Sequence, residues 1–249
     1  PSYRAYLKIA DGCSNCCTYC AIPKIRGPQR SRPIESIVEE AKRLASDGVK
    51  ELTVIAQDTT RYGDDIYGEP KLDELLKQLD VIDGIEWIRL LYCYPDRLTD
   101  SVLETMRDSK HVLHYIDLPL QHANGRILKA MNRRGDSASL LALIGKIRDY
   151  MPDCVIRTTF MTGFPGEDDE AFNELSEFVN AARFDRLGCF AFSPEEGTAA
   201  ADMTERPEKE VAEHRGEVIM DQQYKIFCEK QEELIGERVR CIVEDYDGY

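Results

Sequence analysis

Gly12-Cys13-Ser14-Asn15-Cys16-Cys17-Thr18-Tyr19-Cys20-Ala21-Ile22-Pro23 holds four of the chain's nine cysteines within eight residues. Three of them, Cys13, Cys17 and Cys20, read as C-x3-C-x2-C. That spacing lets one short loop close three thiolates around an iron–sulfur cube. No fourth cysteine stands at a matching distance, so one iron keeps an open position, which is what a catalytic metal centre requires. Cys16 permits a second count, C-x2-C-x3-C through Cys13, Cys16 and Cys20. A zinc site that borrows a distant ligand stays open as well.

Composition narrows the class. The chain has 249 residues, 43% of them hydrophobic. That suits one large domain with a full core and room for a short appendage. No apolar run approaches the roughly 18 residues of a membrane span. Pro1-Ser2-Tyr3-Arg4 reads as neither a signal peptide nor an initiator sequence, and the chain reads as an excised fragment. Cys93, Cys154, Cys189, Cys228 and Cys241 stand in or beside apolar runs and read as small buried hydrophobes. A tight cluster plus scattered singles is unlike a secreted disulfide framework, so a reducing, cytoplasmic location is expected. The net charge of −14 makes nucleic acid a poor default partner. It suits a basic protein partner, and it equally serves solubility.

Outward from the cysteines, strand and helix patterns alternate. Strands are predicted over 3–9, 52–56, 87–92, 114–118, 155–162 and 187–192 from alternating or short apolar runs. Helices are predicted over 34–47, 72–79, 101–107, 126–131, 138–150 and 168–182, with a long one over 208–235. Thr99 or Asp100 caps the third. Six strand-then-helix units argue for a parallel sheet with right-handed crossovers. No Rossmann glycine fingerprint follows the first strand. Six units also fall short of the eight in a closed barrel. The expected fold is therefore α/β, a partial TIM-like (β/α)6 barrel. Residues 1–236 form its core domain, and 237–249 begin a separate domain whose first strand is 239–244. Such barrels place chemistry at the carboxyl ends of their strands. The cysteines, Gln57-Asp58, Tyr94-Pro95-Asp96, Gln121-His122 and Gly163-Phe164-Pro165-Gly166 fall there.

The cysteine spacing resembles the signature of the radical S-adenosylmethionine (SAM) enzymes, and Tyr19 fits the aromatic residue usual before their last cysteine. The resemblance implies a [4Fe-4S] cluster on Cys13, Cys17 and Cys20. Its open iron would chelate SAM, whose reductive cleavage yields a 5′-deoxyadenosyl radical. Further stretches extend the match over nearly the whole chain. Leu7-Lys8-Ile9-Ala10-Asp11-Gly12-Cys13, Ile55-Ala56-Gln57-Asp58-Thr59-Thr60-Arg61-Tyr62-Gly63 and Asp117-Leu118-Pro119-Leu120-Gln121-His122-Ala123 resemble the methylthiotransferase branch. So do Thr159-Phe160-Met161-Thr162-Gly163-Phe164-Pro165-Gly166-Glu167 and Phe184-Asp185-Arg186-Leu187-Gly188. Within that branch the likeness is to members that methylthiolate an aspartate of ribosomal protein S-twelve. A tRNA methylthiotransferase core is the alternative, and a non-catalytic iron–sulfur or zinc module is a third reading.

Candidate SAM contacts follow, each beside its ordinary reading. Gln57 and Asp58 are candidates for the amino group or ribose, or else form a turn and cap. Arg157 interrupts a strand where an apolar residue is ordinary. A charge there needs a partner, a SAM carboxylate or a core acid. Thr159 shares its face at i+2, and Gln121 stands at a strand end. Gly163 allows close backbone approach to a ligand. His122 is assigned no metal role. Glu167 reads as complementing the next helix dipole, and Arg133-Arg134 as a solvated surface pair.

Branch members also carry an N-terminal domain with a second [4Fe-4S] cluster and a C-terminal TRAM-like β-barrel. The implied partners are ribosomal protein S-twelve and a flavodoxin-type reductant, with no membrane. The present 249 residues are expected to cleave SAM without completing methylthiolation. Methylthiolated ribosomal protein formed by this chain alone, detected by mass spectrometry, would contradict that.

Overall fold

The computed structural model describes residues 3–243. Its first strand is β1 (Arg4–Lys8). A two-residue hairpin arm, β2 (Ala10–Asp11), pairs antiparallel with β3 (Arg30–Ser31), and α1 (Ile22–Arg26) lies between them. Then come α2 (Ile34–Ser46), β4 (Glu51–Ile55), α3 (Asp64–Tyr67), α4 (Leu72–Asp80) and β5 (Trp87–Leu90). They are followed by α5 (Asp100–Asp108), β6 (Val112–Asp117), α6 (Gly125–Ala130), α7 (Ser137–Tyr150) and β7 (Val155–Thr162). The series ends with α8 (Asp169–Ala182), β8 (Arg186–Ala191) and α9 (Lys209–Glu232).

The main sheet runs β1-β4-β5-β6-β7-β8, and every neighbouring pair is parallel. Strands β1 and β8 are its two edges, so the barrel is open and the fold is the partial (β/α)6 barrel expected from sequence. Side chains on a strand alternate between faces, and β7 shows the consequence. Ile156, Thr158, Phe160 and Thr162 are buried, while Arg157, Thr159 and Met161 face the half-open interior. Phe160 packs edge-on against Phe178 of α8 and against Phe184, at ring separations of 6.1 and 5.8 Å. The outer face of the sheet therefore carries the apolar core, and the inner face is left for polar work. Tyr6 on β1 and Phe190 on β8 are each 64% exposed, because neither edge is covered by a further strand.

Local chemistry sets the helix ends. In α2, Ile34, Ile37 and Ala41 share the buried stripe, and Gly48 follows the helix with φ +93°. Thr99, one of the two expected caps, accepts a hydrogen bond from the Val102 amide at 3.4 Å. The helix α7 opens on a reciprocal Asp136–Ser139 capping box. Most strand and helix ends lie within two residues of expectation. The expected strand over 239–244 is a correction. Residues 239–243 form no strand, and Val239 and Val243 are 65% and 80% exposed. An alternating run needs a partner strand to become sheet, and none is paired with it among the described residues; Glu244 lies outside them.

Gly163 has φ +71°, and a Cβ there would stand 2.2 Å from the Cβ of Ala212 on α9. Gly163→Ala should lower stability by about 2–5 kcal/mol, from backbone strain plus overpacking. Gly48→Ala meets nothing within 4 Å and should cost only the strain, about 1–2 kcal/mol. Urea denaturation of both variants checks the difference.

Candidate active site

The antiparallel pair β2–β3 closes the base of the cysteine loop. Gly12, with φ +73°, is required at that closure, because a Cβ would meet the Pro28 carbonyl oxygen at 2.2 Å. The loop is then tied to itself at Gly27 and to two parts of the barrel, the ends of β4 and α6. The amide of Cys13 donates to the Gly27 carbonyl at 3.1 Å. Asn15 Nδ2 donates to Asp58 Oδ2 at 2.8 Å, at the end of β4. Thr18 donates through its amide to the Met131 carbonyl (3.1 Å) and through Oγ1 to the Ala130 carbonyl (2.9 Å). Asn132 Nδ2 holds the Cys16 carbonyl at 2.7 Å.

These anchors turn Cys13, Cys17 and Cys20 onto one cavity of about 160 Å³ at the carboxyl ends of the strands. Cys16 is exposed and does not line it. The wall opposite the thiols is built from Gln57 after β4, Tyr92 and Tyr94 after β5, and Gln121 after β6. Tyr19 lines the cavity with its ring edge-on to Phe164 at 6.5 Å. Burial pushes the thiols of Cys13 and Cys20 up from their ordinary range, and it pushes the Tyr19 phenol up as well. Metal binding by these thiols therefore releases protons.

The donor set is soft sulfur, which suits zinc or an iron–sulfur cluster. Among the described residues, no three His, Cys, Asp or Glu side chains converge on a single ion position. A cube differs, since each thiolate meets a different iron. Three thiols lining one cavity suit a cluster of that kind.

The remaining candidates separate. Gln57 and Gln121 are at the cavity; Gln121 takes up φ +74°, with its amide bonded to the Thr159 carbonyl at 2.8 Å. Asp58 is not in the lining. It is 1% exposed and accepts from Asn15 and from Thr60 Oγ1 at 2.5 Å, so it holds the loop. Arg157 is on the inner face but bonds Asp117 Oδ1 at 2.5 Å. This is the core-acid alternative to a SAM carboxylate. Asp117 Oδ2 in turn accepts the Tyr92 amide at 3.1 Å and holds Tyr92 at φ +59°. Thr159 meets the cavity only through its backbone bond to Gln121. Gly163 packs closely on Ala212 of α9.

Two acidic and basic readings change. Arg133 is no free surface charge. Its Nη1 lies 3.9 Å from Cys17 Sγ and 3.4 Å from Tyr19 Oη, Nη2 donates to the Pro119 carbonyl at 2.7 Å, and its guanidinium lies 4.4 Å over the Tyr94 ring. Arg134 remains exposed. Glu167 is fully buried. Its Oε1 accepts from the Gly163 amide at 3.0 Å and from Arg215 Nη1 at 2.8 Å. The Asn124 amide donates to His122 Nδ1 at 2.9 Å, so Nε2 carries the proton and donates to Glu167 Oε2 at 3.2 Å. Helix capping falls instead to Asp168, which accepts from the Ala171 amide. The contacts that bring Arg133 to the cysteines, with Cys17 and Tyr19, span more than a hundred residues, and no local pattern carries that signal.

With this geometry in place, similarity to known proteins can be read. Residues 7–179 match the family model described as the radical SAM superfamily. A ribosomal protein uS12 methylthiotransferase RimO from Desulfitobacterium hafniense is 48% identical over 98% of this chain and 55% of its own length. The protein of that name from Pelotomaculum thermopropionicum is 50% identical over 98% of this chain and 55% of its own length. The chain thus spans about half the length of the curated relatives it matches. Among solved structures, the radical SAM methyltransferase TsrM from Kitasatospora setae superposes with a TM-score of 0.65. It shares 14% identity over 79% of this chain and 38% of its own. Coproporphyrinogen III oxidase (HemN) from Escherichia coli gives 0.62 at 16% identity, over 90% of this chain and 52% of its own. These two show the shared fold.

Iodoacetamide labelling of the metal-free chain, mapped by mass spectrometry, checks the thiol environments. Exposed Cys16 and Cys241 should label first and buried Cys93 last, with Cys13 and Cys20 slow at neutral pH. Because burial raises the latter two, their labelling should accelerate as pH rises above about 8.5.

Proposed function

The chain belongs to the radical SAM superfamily, and on that premise we propose that it is the SAM-cleaving core of a methylthiotransferase acting on an aspartate of ribosomal protein uS12. The observation that carries the reading is the shared cavity of Cys13, Cys17 and Cys20, with Cys16 turned away from it. The substrate assignment draws on the names of the relatives. The net charge of −14 suits a basic protein and offers nucleic-acid phosphates no general attraction.

Cys13, Cys17 and Cys20 would hold three irons of a [4Fe-4S] cluster. When bound, cluster and SAM supply one-electron reductive cleavage of the SAM sulfonium. The chain's own contribution is binding, orientation and exclusion of water. Arg133 is the basic residue of the cavity wall. Its fork of donors suits the SAM carboxylate, while Pro119 and Tyr94 fix its orientation. Gln57 and Gln121 present amides from two strand ends to the amino group and ribose hydroxyls. Tyr19, backed by Phe164, closes the apolar side. The Asp117–Arg157 pair holds the Tyr92 turn in place, as a support behind the wall. A flavodoxin-type protein is the proposed electron donor and the cytoplasm the proposed location. No helix among the described residues is long and apolar enough to cross a membrane.

The chain is reconstituted anaerobically with iron and sulfide, given dithionite and SAM, and assayed for 5′-deoxyadenosine. Cys13→Ala, Cys17→Ala and Cys20→Ala should abolish the product, and Cys16→Ala should retain it. A fully loaded chain that forms none would contradict the reading. Arg133→Met should lose charge-assisted hydrogen bonds worth about 1.5–3 kcal/mol. That is a roughly 10- to 150-fold loss of SAM affinity by equilibrium dialysis.

A further inference from the structure

A second cavity, of about 550 Å³, opens on the inner face of the barrel. It lies at the amino ends of β7 and β8 and beside the second halves of β5 and β6. Val155 and Arg186, the first residues of β7 and β8, line it together with Arg89, Tyr115 and Arg157. None of its lining residues is acidic, although the chain's net charge is −14. Arg89 donates through Nε to Glu51 at 2.6 Å and lies 4.6 Å over the Tyr115 ring. Arg157 donates through Nη1 to Asp117. Arg186 lies 4.6 Å over the Phe227 ring and donates through Nη1 to the Asp185 carbonyl at 3.0 Å. Two carboxylates behind the wall thus answer three guanidinium groups. Each guanidinium has five N–H donors in a planar fork, so most of that donor capacity is left for a ligand. Such forks match carboxylates in bidentate geometry.

We propose that this lower cavity is a carboxylate-binding site that receives the aspartate side chain presented by the substrate protein. The proposal rests on the function assigned above and supplies its substrate recognition. The inner face of β7 links the two cavities. Thr159 follows Arg157 on that face, about 7 Å up the strand. The Thr159 carbonyl holds Gln121, which is part of the cysteine cavity wall. A neutral amide in place of the carboxylate would leave the forks uncompensated.

The test follows the arginine Nε–H resonances of the chain by NMR. N-acetyl-aspartate amide, N-acetyl-asparagine amide and inorganic phosphate are titrated in separately. The aspartate probe should shift the signals of Arg157 and Arg186 saturably, with the asparagine probe bound at least about tenfold more weakly, as loss of one charge-assisted bond implies. Arg186→Gln strands no carboxylate in this structure, and its fold is checked by its melting curve. Arg157→Lys keeps a charge for Asp117 but loses the fork. Each variant should weaken the aspartate probe by about tenfold. Equal response to aspartate and asparagine, no response, or phosphate bound tenfold more tightly than aspartate would each overturn the proposal. No SAM, cluster or reductant enters this experiment, so its outcome is separate from that of the deoxyadenosine assay.

Discussion

One buried carboxylate joins the cysteine loop to the barrel. Asp58 stands at the end of β4 and is 1% exposed. It accepts from Asn15 within the loop and from Thr60 in its own turn, and Arg97 Nε lies 3.9 Å away without a hydrogen-bond partner. A buried carboxylate must be met by donors or it is costly. Here one of the donors, Asn15, comes from the loop whose thiols need placing. The same requirement that satisfies Asp58 therefore fixes where Cys13 and Cys17 point. Loop geometry and sheet geometry become one constraint, as a preorganised site requires.

A similar device recurs one strand further on. Asp117, at the end of β6, is held by Arg157 and holds the left-handed Tyr92. Backbone strain of that kind persists where surroundings over-determine it. Thr59 adds to the hold by donating its amide to the Tyr92 carbonyl at 3.0 Å. Buried acids at two strand ends thus shape the wall facing the thiols. Neither lines the cavity. The groups that do are neutral amides, phenols, thiols and the one guanidinium of Arg133, which leaves the anionic charge of a cluster and of a SAM carboxylate uncontested by nearby carboxylates.

Sequence carried the fold well because its signals are local. The alternation of 155–162 and the 3.6-residue stripe of 34–47 are each visible in a short window, and both became the expected elements. The cysteine spacing was equally local. Contacts set by distant partners leave no such local signal. Asp58 and Arg157 sit at strand positions that suggest ligand contact, and each also answers to a side chain far away in sequence, Asn15 and Asp117. Gly163 answers to Ala212 on a helix about fifty residues later. Arg133 looked like surface because a pair of arginines after a helix usually is. Only the folding of the cysteine loop against the end of α6 gives it Cys17 and Tyr19 as neighbours. The terminal run 239–243 has a strand-like pattern but is paired with no strand among the described residues.

On the proposed reading, three cysteines would leave one iron open to SAM. Mössbauer spectroscopy of the chain reconstituted with isotopically enriched iron tests it most directly, with spectra recorded before and after SAM is added. The account predicts a [4Fe-4S] spectrum in which one iron changes its environment on SAM binding and the other three do not. A spectrum unchanged by SAM, with all four irons alike, would mean that the cluster is closed and would contradict the account.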